Sequence, residues 1–102
     1  MVVYNITFSI DKSIEKEWVE WVNRTHIPTV MATDFFRDCK LCRIHGEEEG
    51  GVTYAIMYTA KSQEDLEIYQ EKYAQQHDNK HAQKFQGKFV TFRTLLSVIK
   101  EF

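Results

Sequence analysis

Chemistry in this chain has to come from few side chains: His26, His45, His77, His81, Cys39, Cys42, and Arg93 in an otherwise apolar run. His77 and His81 stand four apart, a spacing that lets two imidazoles on one helix face share a metal. The run H-D-N-K-H lacks the central glutamate of a zincin helix, and no third ligand follows at a fixed distance. Two polar residues near a helix end are the plainer reading, so no metal site is expected. Cys39 and Cys42 form C-x-x-C, which reads as a redox or zinc motif when it lies in a turn. Here it falls inside a strand-like run, where residues three apart point to opposite faces and lie roughly 10 Å apart. A disulfide needs Cα atoms closer than about 7 Å. Two free thiols without zinc are expected.

His45, followed by Glu47–Glu49, reads as part of a solvated hairpin. His26 and His77 are different, because each lies on or beside an apolar stripe. A partly desolvated imidazole near tyrosines can act as acid, base or axial ligand, or simply sit in a core with one hydrogen bond. Arg93, in F-R-T, needs a carboxylate or a ligand anion as partner, with Glu20 or Asp38 the expected carboxylate.

The elements that must hold these residues follow from periodicity. Tyr4, Ile6, Phe8 and Ile10 alternate with Val3, Asn5, Thr7 and Ser9, which predicts a strand over 2–10 with Asn5 on the side away from Ile6. Asp11 or Ser13 can cap a helix carrying Ile14, Trp18, Trp21, Val22 and Thr25 on one face, with His26 at its margin. Pro28 suits the start of a new turn, P-T-V-M-A. A second strand is predicted over 37–48 and a third through V-T-Y-A-I-M-Y-T, with Gly50-Gly51 supplying positive φ between them. Ser62 and Asp65 resemble a capping box. Leu66, Tyr69, Tyr73 and His77 make one helical stripe, with a fray or restart near Asp78-Asn79 and an end by Gly87. A last strand is predicted over 88–100.

The order β-α-β-β-α-β is the split βαβ, ferredoxin-like arrangement: an α+β fold with a four-stranded antiparallel sheet and two helices on one face. One domain over 1–102 fits the length. The open face, with Asn5, Thr7, Thr53, Met57 and Thr59, has nothing in its own chain to cover it, which predicts a homodimer. A formal net charge of -2 gives no basic field for nucleic acid or an anionic membrane surface. No apolar run approaches the roughly 20 residues of a membrane span, and no signal peptide is legible, so a cytoplasmic location is expected. G-x-G-x-x-G, P-loop and G-x-S-x-G patterns are absent from the sequence. Aromatic residues, at 14%, are the unusual figure, and aromatics often line ligand pockets.

The blocks Y-N-I-T, W-V-E-W, H-I-P, A-T-D-F, G-G-V-T-Y and K-F-V-T-F-R-T span the chain. As a set they resemble a small bacterial family, domain of unknown function 4286, which implies the ferredoxin-like fold and no activity. The chain is more distantly similar to the dimeric α/β barrels, the antibiotic-biosynthesis monooxygenases and their haem-degrading relatives. That resemblance implies catalytic candidates Asn5, Tyr58 and His77, and haem as the cofactor in its haem-degrading version. The relatives' usual tryptophan is Tyr58 here, and Asn5 would have to share a face with the helices.

Three readings result. The first is a homodimer with an aromatic-lined pocket between helices and sheet for a small organic ligand, lined by Trp18, Trp21, His26, Tyr54, Tyr58, Tyr73 and Arg93. The second is a cofactor-independent or haem-dependent monooxygenase with His77 as base or iron ligand, His26 being a further catalytic candidate. The third is a structural or regulatory dimer whose aromatics only fill the core.

Overall fold

The computed structural model of the chain describes residues 1–46 and 49–102; the expected hairpin residues Glu47 and Glu48 lie outside the described residues. Four strands, β1 (Val2–Asp11), β2 (Phe36–Ile44), β3 (Gly51–Ala60) and β4 (Phe89–Ser97), form one antiparallel sheet in the order β2-β3-β1-β4. The fold is ferredoxin-like, as its element order predicts. The apolar set of β1 turns inward, and Val2, Tyr4, Ile6, Phe8 and Ile10 are all buried. Asn5 sits opposite Met57 and Thr94, on the other face. Cys39 lies opposite Tyr58 and Cys42 opposite Ala55. The two thiols therefore point to opposite faces and both are free, as strand geometry demands.

Between β1 and β2 the chain is helical from Lys12 to Met31. Asp11 caps a 3₁₀ turn, accepting from the Ser13 amide at 2.9 Å. α1 (Glu15–Trp21) runs into a π-type turn over Val22–His26, and α2 (Ile27–Met31) follows. In that wide turn the Ile27 amide donates to the Val22 carbonyl, five residues back. Pro28 explains the widening, because it has no N–H to give and its ring crowds the carbonyl four residues earlier. The wide turn also keeps residues four apart in line, so Trp18, Val22, His26 and Val30 are all buried. His26 is thus inside the fold and not at the margin of the apolar face. Asp34, at φ 66°, closes the segment in the left-handed region and pairs with Lys61 at 2.8 Å.

The second helical segment starts at Ser62, whose hydroxyl accepts from the Asp65 amide at 3.0 Å. α3 (Gln63–Tyr69) and α4 (Gln75–Lys84) flank another π turn, Gln70–Ala74. The irregularity expected at Asp78-Asn79 is therefore eight residues early, and α4 passes through those positions without a break. The extra residue in the turn shifts the buried phase from Tyr73 to Ala74. Tyr73 is 37% exposed while Leu66, Tyr69, Ala74, His77 and His81 are buried. The predicted stripe through Tyr73 is corrected accordingly. Gly87, at φ 77°, turns the chain into β4, which ends at Ser97 and not at Lys100.

This phase shift is open to a direct test. Ala74→Gln would push an amide into a filled core and should cost about 2–3 kcal/mol in urea unfolding. Tyr73→Gln should cost about 1 kcal/mol or less. The opposite ranking would restore the regular helix.

Candidate functional site

The helices cover one face of the sheet, and His81 meets Phe8 of β1 and Phe89 of β4 beneath them. His81, on α4, is 2% exposed. Its ring centroid lies 4.7 Å from Phe8, 4.5 Å from Phe89 and 5.9 Å from Trp21. The Trp18 indole N–H donates to His81 Nε2 at 2.8 Å in this buried setting. An indole N–H can only donate, so His81 Nε2 must carry a lone pair and the ring is neutral. His77, four residues earlier, meets the Tyr69 hydroxyl through Nδ1 at 2.8 Å. The i,i+4 pair is thus divided between two aromatic partners, and the described residues hold no group of three or more metal-ligating side chains.

His26 is the third member. Its ring stacks near Trp21 at 5.3 Å and stands 6.0 Å from His81, edge-on. It makes no hydrogen bond among the described residues, although it is only 6% exposed. Two small clefts meet at this ring. One, about 30 Å³, is lined by Phe8, His26, Asp78, His81, Phe89, Thr91 and Arg93. The other, about 60 Å³, is lined by Trp21, Thr25, His26, Thr29, His77 and Lys80. The smaller has room for about two water molecules. Arg93 enters it from β4. Its Nε donates to the Tyr4 hydroxyl at 2.8 Å, and its Nη2 meets Asp78 at 2.5 Å. Asp78 therefore takes the place expected for Glu20 or Asp38; Glu20 pairs instead with Arg24 on the surface.

The predicted pocket residues divide. Trp21, His26 and Arg93 line the clefts, and Trp18 supports them from behind. Tyr54 is turned away, donating to Glu15 at 2.6 Å under the Arg43 guanidinium. Tyr73 stacks outside, on Tyr69, His77 and Phe35. Tyr58 is buried against Tyr4 and Phe36, and its hydroxyl has no hydrogen-bond partner among the described residues. Asn5, Tyr58 and His77 do not converge, because Asn5 faces the opposite side of the sheet. With His77 Nδ1 engaged by Tyr69 and clefts this small, the three residues do not fit a haem. His81, Phe89 and Asp78 are site members that the predicted set lacked; the signal for His81 was its four-residue spacing from His77.

Burial sets the electrostatics. It pushes His26 and His81 down to about 4, with His77 adding to the effect on His26 and His26 to that on His81. Burial also lowers His77 and, together with Asp38 and Cys42, raises the Cys39 thiol to about 12, so that thiol stays protonated at neutral pH. The imidazoles are neutral bases at pH 7. Their folded values lie below the ordinary 6.5, so the unfolded chain binds more protons between pH 6.5 and about 4. Stability is full above pH 6.5 and falls as the pH drops through that window, by on the order of 3 kcal/mol per ring. Urea midpoints should therefore be flat from pH 8 to 7 and fall steeply from pH 6 to 4.5. A midpoint unchanged down to pH 4.5 would contradict the buried neutral rings.

Solved structures share this fold. An ethyl tert-butyl ether D (EthD) family protein from Bacillus halodurans is 24% identical, with a TM-score of 0.68 over 97% of this chain and 100% of its own. A dimeric ferredoxin-like protein from an uncultured marine organism is 13% identical, with a TM-score of 0.68 over 100% and 98%. SnoaB, a cofactor-independent oxygenase from Streptomyces nogalater, is 10% identical, with a TM-score of 0.68 over 98% and 95%. No curated protein matches significantly. At these identities the likeness establishes the fold alone. Residues 1–99 match the model of the domain of unknown function DUF4286, and the chain belongs to that family.

Proposed function

We propose that the chain works as a homodimer that binds a small organic ligand at the histidine clefts beside β4. The observation that carries the ligand site is His26, a buried, neutral imidazole with no hydrogen bond, set where two clefts meet. Its ring nitrogens are not among the sealed, unpartnered polar atoms of the core, so they open toward the clefts, where a ligand's polar group can meet them. Trp21 and the Arg93–Asp78 pair supply an apolar wall and fixed charges around the opening.

The dimer reading rests on the other side of β4. Val90, Phe92 and Leu96 lie on the open face and are 69%, 61% and 42% exposed. Met57, at the centre of that face, is half-covered by its own neighbours, so the apolar weight lies along β4. A self-complementary contact there would remove roughly 800 Å² per partner. The dimeric state of a ferredoxin-like neighbour supports this assembly. Cofactor-independent oxygenase chemistry is the second reading, favoured by the likeness to SnoaB together with a neutral base at the clefts.

Native mass spectrometry of freshly purified protein tests both parts. A dimer carrying a retained small molecule is expected, with the molecule lost in His26→Phe. Phe92→Asp should give monomers by setting two like charges in a dry contact. A wild-type monomer at high micromolar concentration overturns the dimer, and a dimer free of any ligand overturns the pocket.

A further inference from the structure

Trp18 decides more than the charge of His81. Because the indole N–H occupies Nε2 at 2.8 Å, the one proton of the neutral ring is on Nδ1. Protonating Nε2 instead would set two N–H groups head to head in a buried place. The rings packed about His81 are otherwise apolar: Phe8, Phe85, Phe89 and Trp21. The polar surroundings left for its Nδ1–H are those of the cleft it lines with His26, Asp78, Thr91 and Arg93. No hydrogen bond joins His81 to His26, whose centroid is 6.0 Å away. A ligand oxygen standing in that gap would face both rings.

The rest of the lining narrows what that oxygen belongs to. The Thr91 hydroxyl donates its one proton to the Thr7 carbonyl at 3.0 Å, so toward the cleft it can only accept. Arg93 uses Nε on Tyr4 and one N–H of Nη2 on Asp78, which leaves both donors on Nη1 and the second on Nη2. The Arg93 charge is already matched by Asp78 and both imidazoles are neutral at pH 7, so the cleft holds no net positive charge to repay the desolvation of a permanent anion. His26, with no partner of its own, offers a lone pair.

We infer that Trp18 fixes His81 as a donor, and that the smaller cleft takes the polar head of a small, neutral oxygen acid, with the rest of the molecule in the adjoining cleft: a hydroxyl or enol donating to His26, next to an oxygen accepting from His81. This rests on the ligand-site reading above and names the class of its ligand. Trp18 is a positioning residue here, since it acts through His81.

Two measurements test it on the intact protein. Nitrogen-15 NMR of the imidazoles at pH 7 should show His81 protonated on Nδ1 alone, and Trp18→Phe should give a mixture of tautomers. A wild-type His81 protonated on Nε2 overturns the inference, whatever the variant does. The second is a titration with three small probes, followed through the His26 and His81 signals. Acetohydroxamic acid carries an acidic hydroxyl beside a carbonyl, acetamide has the carbonyl without the hydroxyl, and acetate is a permanent anion. Acetohydroxamic acid should bind at least tenfold tighter than either other probe. Equal or tighter binding of acetamide or acetate overturns the ligand class and leaves the pocket standing. Saturable binding of none of the three overturns the ligand class and the pocket together.

Discussion

The hydrogen bond from Trp18 to His81 joins residues 63 apart in the chain and lies wholly inside the protein. It can form only if the helix after β1 and the helix after β3 lie side by side on the sheet. It requires a neutral imidazole, and the aromatic walls around it keep that imidazole neutral by excluding water. An unmade bond would strand a buried donor and a buried acceptor, at about 1–3 kcal/mol for each group. Helix packing, histidine charge and the wall of the smaller cleft therefore depend on one contact.

The two π turns make that contact reachable. Each helical segment carries one, at Val22–His26 and at Gln70–Ala74. The first keeps Trp18, Val22, His26 and Val30 on one inward line. The second exchanges Tyr73 for Ala74 and so brings His77 and His81 inward together. Such turns cost hydrogen-bond regularity and recur at functional sites. β4 then completes the arrangement, because alternate residues serve two faces. Phe89, Thr91 and Arg93 line the cleft, while Val90, Phe92 and Leu96 form the exposed apolar strip.

Much of this was legible in the sequence. Alternation in β1 placed Asn5 on the open face, and strand geometry separated Cys39 from Cys42. Helical spacing put Trp18, Trp21 and Val22 on one face and set His26 beside them. Other features could not be read. A spacing of three, four and four through Leu66, Tyr69, Tyr73 and His77 is what a regular helix would also show, so the inserted residue leaves no local sign. Pro28 hinted at a disturbance in the first helix, and nothing comparable marks the second. The partner of Arg93 depends on how α4 crosses β4, a tertiary fact. The division of the predicted lining, with Tyr54 and Tyr73 turned outward and Tyr58 sealed in the core, likewise follows from packing and not from periodicity.

The central claim is that Trp18 and His81 act as one buried unit. A double-mutant cycle with Trp18→Phe, His81→Phe and the pair, followed by urea unfolding at pH 7.5, measures this directly. Each single variant strands one polar partner, while the pair removes both. The two single losses should therefore exceed the loss in the double variant by about 1–3 kcal/mol in sum. Losses that add to within about 0.3 kcal/mol would show that the two side chains do not depend on each other, and the account would fail there.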